Sequence, residues 1–149
     1  AGVANASFEA LPGFKNALAY KFPHLNQPGW NSGNLATMAG GAAWRLSVDD
    51  LLKVMDHVRR RNTIIPAARA QQVLDGRLGI DQAIATPAGN IYNKNGRWTS
   101  GGRTEQSVIY FLPNGMELAV LVNSPISVEG WSLRGIVKDL FIDNLENPN

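Results

Sequence analysis

Apolar positions follow one period in the middle of the chain and another after it. From Ser47, the stretch SVDDLLKVMDHVRR places Val48, Leu51, Leu52, Met55 and Val58 at helical spacing. Ser47 suits an N-cap, and Asp50 three residues on makes a short-armed capping box. A second helix is predicted to start at Pro66, whose fixed φ suits a first helical position, and to stop at Gly76. The period then shortens. LGIDQAIA and NIYNK read as short strands, SVIYFL and MELAVLV as stronger ones. Pro113-Asn114-Gly115 between the last two is a hairpin signal. Both of those runs are almost continuously apolar, so both faces of the sheet are expected to be covered. Helical spacing returns in WSLRGIVKDLFIDNL. There Leu133, Ile136, Val137, Leu140 and Phe141 form one stripe, predicting a helix across the sheet.

Before Ser47 no period holds. Prolines and glycines recur every few residues, so long elements cannot run through this stretch. The predicted class is α+β: an antiparallel sheet of three to four strands with helices packed on it. The chain reads as a single partial domain. It has a loop-rich segment over residues 1–46, a helical pair over 47–76, antiparallel strands over 78–124 and a closing helix over 131–145. The first of these sheet strands is left with an open edge.

Composition narrows the chemistry. The chain has no cysteine, which removes disulfides, thiol nucleophiles and thiolate metal sites. Its two histidines, His24 and His57, lie far apart with no carboxylate in ligand register, so no metal site and no cofactor is expected. The net charge is only +2, and no nucleic-acid motif accompanies the run Arg59-Arg60-Arg61. That run is expected to be a solvated helix end complementing the macrodipole, and no nucleic-acid partner is expected. No apolar run approaches the roughly 18 residues of a membrane helix, so no membrane span is expected. Asp49, Asp50 and Asp56 are assigned to a helix start and its polar face.

NKNGRW, residues 93–98, sets a lysine beside Asn95 and Gly96 at the lip of a strand. A glycine-rich loop is expected to follow it. Nothing else in the chain offers a nucleophile with a base: Ser-x-x-Lys, Gly-x-Ser-x-Gly and the phosphate-loop pattern are all absent.

Four stretches together resemble the C-terminal portion of the serine β-lactamase and penicillin-binding-protein superfamily, nearest its class C-like esterases and D,D-peptidases. GGAAWRLSVDDLLKVM is similar to that branch's Gly-Gly, Ser-x-x-Asp-Leu helix opening. NKNGRW is similar to its Lys-Thr-Gly box, with Asn95 in the threonine place. SVIYFLPNGMELAVLVNSP resembles its penultimate hairpin, and GIVKDLFIDNL its closing helix. The resemblance spans roughly residues 38–145 and implies the C-terminal part of a β-lactamase-like α/β sandwich. It implies that Lys94 binds a substrate carboxylate and supports a proton-relaying hydroxyl. Asn95 would hydrogen-bond the substrate, and Gly96 would keep the strand edge bare. The Arg97 amide would form half of an oxyanion hole, and Trp98 is a further substrate-binding candidate. Asn95 in place of threonine points to an esterase or peptidase-like member rather than a conventional β-lactamase.

The family's Ser-x-x-Lys and Tyr-x-Asn boxes are not in this chain. The resemblance therefore implies a C-terminal segment of a longer hydrolase of small esters or amides, inactive alone. Its partner would be the N-terminal part of the parent or a strand-swapped second copy. Family members are commonly exported, so a periplasmic or secreted setting is implied. Without its serine, Lys94 is expected to behave as an exposed strand-edge lysine. The alternative is a non-catalytic carbohydrate- or peptide-binding module. For that reading Trp98 and Trp30, expected in loops, are the candidates, while Trp44 and Trp131 are assigned to the core.

Overall fold

In a computed structural model that describes residues 1–22, 27–126 and 132–146, the chain is α+β. The described residues form β1 (Tyr20–Lys21), α1 (Val48–Arg59), α2 (Ala67–Asp75), β2 (Gln82–Thr86), β3 (Gly89–Ser100), β4 (Arg103–Phe111), β5 (Glu117–Val122) and α3 (Leu133–Glu146). Every strand pairing is antiparallel. The sheet runs β2-β3-β4, and β4 is flanked on its far side by β5 along most of its length and by β1 at its start. The sheet thus has five strands rather than three to four. The extra one, β1, comes from the loop-rich segment and is two residues long.

Local chemistry explains the helix ends. The Ser47 hydroxyl accepts from the Asp50 amide at 3.0 Å. Asp50 does not reach back to complete a capping box; it is buried and pairs with Lys53 at 3.2 Å. Pro66 lies one residue further out than predicted, as the extended N-cap of α2, because its ψ of 150° is not helical. Gly76 closes that helix, and a Cβ there would meet the Gln72 carbonyl oxygen at 2.7 Å.

The main correction falls on NKNGRW. No loop follows Gly96. β3 runs on through Trp98 to Ser100, with Tyr92 to Ser100 registered against Phe111 to Arg103 of β4. The turn comes only at Gly101-Gly102, whose φ values of +57° and +78° suit a two-residue type I′ connection.

Strand alternation divides the core between two faces. Ile91, Val108, Tyr110 and Leu112 pack under α3 with Leu133, Val137, Phe141 and Ile142. Tyr92 and Phe111 face the other way, against Met55 of α1 and Leu74 of α2. The coverage of both faces predicted from the apolar runs is therefore present over this part of the sheet. Within α3, Leu140 leaves the predicted stripe and is 58% exposed, while Ile142 packs inward. The Tyr110 hydroxyl donates to the Arg134 carbonyl at 2.6 Å, and burial pushes the phenol up to about 12.

Two further expectations change. Trp44 is not a core residue: it is exposed and lies 4.0 Å, centroid to centroid, from the Phe8 ring, outside both apolar clusters. Trp131 and His24 fall outside the described residues. The Arg59-Arg60 end of α1 is also not simply solvated. Arg59 donates to the Leu112 carbonyl at 2.7 Å and to the Met116 carbonyl at 3.1 Å. Arg60 donates to the Gly115 carbonyl and to Glu117 Oε2, the latter at 2.7 Å. The two side chains fasten α1 to the β4–β5 turn.

Candidate functional site

The site is built by a mismatch in strand length. β2 pairs with β3 only from Thr86–Gly89 to Gln82–Asn93. From Lys94 to Ser100, β3 has β4 on one side and no described strand on the other. The Asn95 N–H points to that open side, where it donates to Asp81 Oδ2 at 2.8 Å. The two-residue repeat of a strand turns the Arg97 amide the same way.

Side chains alternate along this edge. Tyr92, Lys94, Gly96 and Trp98 belong to the face that carries α1 and α2. Those helices cover Tyr92, but Lys94, Gly96 and Trp98 lie beyond them and are exposed. The result, among the described residues, is a bare stretch of sheet face bordered by an unpaired edge. Trp98 is thus a strand residue, 39% exposed, rather than a loop residue. Trp30 sits elsewhere, bridged to Ala19, so these two aromatics stand on separate strands of backbone.

Lys94 is not a solitary strand-edge cation. Its Nζ lies 2.8 Å from Asp81 Oδ1, so one carboxylate takes both the lysine and the Asn95 amide. Burial pushes the Asp81 carboxyl up. The hydrogen bonds from Lys94 and the Asn95 amide, with the charges of Lys94 and Arg134, outweigh that and hold it below the ordinary carboxylate value.

Asn95 and Lys94 are adjacent, so their side chains point to opposite faces. The Asn95 Oδ1 accepts from Arg134 Nη1 of α3 at 3.3 Å. What Asn95 offers at the edge is its backbone. Gly96 is registered with Ser107 of β4, and a Cβ at Gly96 would lie 2.8 Å from the Ser107 hydroxyl oxygen. Any side chain at that position must displace Ser107, so glycine keeps the wall flat. Asn93, fully buried, gives its Nδ2 to Gln82 at 3.3 Å, and its Oδ1 has no partner among the described residues.

Asp81, Ser107 and Arg134 were not recognised as site residues from sequence. For Asp81 a signal existed. The two-residue turn at Pro87-Ala88 sets Gln82 opposite Asn93, which brings Asp81 level with Lys94. Among the described residues no cluster of His, Asp and Glu could hold a metal ion, and no helix is long and apolar enough to cross a membrane. Comparisons of the chain with protein-family models, with curated proteins and with solved structures find no match.

Proposed function

We propose that this chain is the C-terminal segment of a β-lactamase-like serine hydrolase and supplies one wall of its cleft. The observation that supports this reading most is the open edge of β3. There Lys94 stands on an uncovered sheet face while the Arg97 amide is directed along the same edge. In the proposed reaction a serine from the N-terminal part of the parent attacks the carbonyl of a small ester or amide. An acyl-enzyme forms and water then releases it. The Arg97 N–H would donate to the developing oxyanion, and the amide of the nucleophile would supply the second donor. The Lys94 ammonium would favour the deprotonated form of the hydroxyl that relays the proton. Its effect grows when the second wall closes over it and excludes water.

The chain alone is then inert. Ser107 lies beside Gly96, but it stands in no Ser-x-x-Lys pair that would supply it with a base. Loss of a nucleophile removes many orders of magnitude of rate, and half an oxyanion hole does not replace it. The test is a burst experiment with p-nitrophenyl acetate. This chain should release nitrophenol no faster than buffer. The same chain expressed together with its upstream coding sequence should show a burst that Lys94→Ala removes. A stoichiometric burst from this chain alone that survives Lys94→Ala would sink the proposal.

The alternative of a carbohydrate- or peptide-binding module draws on Trp98, the one described tryptophan on the wall. Saturable glycan binding by this chain, lost in Trp98→Ala, would favour it.

A further inference from the structure

Lys94 and the Asn95 amide together form a carboxylate site, and we infer that Asp81 is its resident occupant, held in the place an external carboxylate would take. The geometry is that of a bound ligand. One carboxylate oxygen sits 2.8 Å from an ammonium and the other 2.8 Å from a backbone N–H on an unpaired strand edge. In a complete sheet that N–H would meet a neighbouring strand's carbonyl. Here a side chain bridges two donors of different kinds, and both belong to the wall. The groups facing the Asp81 carboxyl are Lys94 from β3 and, from α3, Arg134, whose guanidinium is tied to Asn95 Oδ1.

The occupancy sets the ligand class. With Asp81 in place the donors are satisfied and the ammonium charge is balanced, so an anionic ligand gains little there. A neutral acyl group loses nothing by comparison. With Asp81 removed, the same donors present a cation and a bare amide about one carboxylate apart, a fit for a small carboxylate. Asp81 is therefore a specificity-determining residue that turns the wall away from carboxylate-bearing ligands and toward neutral ones. The extension to substrates rests on the hydrolase reading above; the carboxylate site itself does not.

The test uses the full chain, amide-detected NMR and acetate as the probe, with acetamide as the uncharged control. Asp81→Ala should bind acetate about three- to fivefold more tightly than the native chain, an increment in keeping with a half-exposed ion pair. The Asn95 amide should move most, acetamide should leave it in place, and added salt should weaken the binding. Asp81→Asn, which keeps the shape and removes the charge, should fall between the two. Equal acetate affinity in the native chain and Asp81→Ala overturns the inference, as does acetate binding that leaves the Asn95 amide unmoved. A measurement on the native chain needs no variant. As pH falls, the Asn95 amide must shift with the same midpoint as the Asp81 carboxyl carbon, and an amide that ignores that titration also overturns it. Neither measurement requires turnover, so failure here leaves the burst experiment standing, and an absent burst leaves this site standing.

Discussion

Replacing Arg59 tests whether the arginine run is a fastening or a charged surface. Its guanidinium reaches the Leu112 and Met116 carbonyls at 2.7 and 3.1 Å and lies 5.9 Å from the Phe111 ring centre. Hydrogen bonds from a charged donor contribute about 1.5–3 kcal/mol each when the acceptor is otherwise stranded. Neither carbonyl would be stranded here. Leu112 O also accepts from the Gly115 amide, and Met116 O from the Leu112 amide. The lower figure of about 1 kcal/mol per bond is therefore appropriate, with about 0.5–1 kcal/mol for the ring contact. Burial of the guanidinium, which lowers its pKa despite nearby Glu117, offsets part of this. Arg59→Met, which keeps the aliphatic packing, should cost about 2 kcal/mol. Arg61 bonds to the partly exposed Asp56 and is itself largely exposed, so Arg61→Ala should cost at most about 0.5 kcal/mol. Urea unfolding followed by tryptophan fluorescence measures both. Equal costs for the two variants, or an Arg59→Met cost below about 0.5 kcal/mol, would refute the fastening.

Three other outcomes follow from the same packing. Glu117 is enclosed, with only Oε2 bonded among the described residues, to Arg60, and burial raises its carboxyl pKa despite the nearby arginines. A carboxyl that titrates higher when folded adds stability at pH below its unfolded value near 4.5 and loses it as pH rises through the folded value. The stability of the native chain relative to Glu117→Gln should therefore fall as pH rises from about 4 toward neutrality, and a rise across that window contradicts the assignment. Tyr110→Phe removes the bond to the Arg134 carbonyl and should cost about 1 kcal/mol in urea unfolding, with no cost if α3 is held by apolar contact alone. Gly102→Ala forces a side chain into φ +78° at the β3–β4 turn and should lower the thermal midpoint by about 2–6 °C, whereas Gly40→Ala, with open space and no positive φ, should not.

Features carried by a few neighbouring residues were legible in the sequence. The Ser47 cap, the Gly76 stop, the Pro113-Asn114-Gly115 turn and the continuous apolar run of β4 all stand in the structure. Features that depend on distant partners were not. Asn95 and Gly96 have poor strand preference and read as the lip of a strand with a loop after it, yet nine consecutive pairs with β4 keep the strand going to Ser100. The arginine fastening joins residues 53 to 57 positions apart, and no local pattern encodes that. Lys94 was visible as a candidate. Its neutralisation could be reached only by working out the register of the β2–β3 hairpin, since no residue adjacent to the lysine signals it. Leu140 shows the limit of a helical stripe: the face was right, but α3 is rotated so that Ile142 rather than Leu140 meets the sheet.

Among the described residues the sheet has a second unpaired edge, on the far side of β5, and its geometry sorts possible assemblies. Among the described residues β5 pairs only with β4, and its run Leu118 to Val122 is wholly apolar, without the lysine or proline that commonly blunts such an edge. Helix α1 packs on β5 itself, through contacts that include Ala119. Two copies joined β5 to β5 about a dyad would bring their α1 helices within roughly one strand spacing, about 4.8 Å, whereas packed helices need about 8–10 Å. The edge therefore admits a bare strand more readily than a symmetric twin. It also lies about 10 Å across the sheet from the edge of β3, with β4 between. Assembly and chemistry thus have separate addresses: a strand added beside β5 would lengthen the sheet while Lys94 and the Arg97 amide stay open to a ligand.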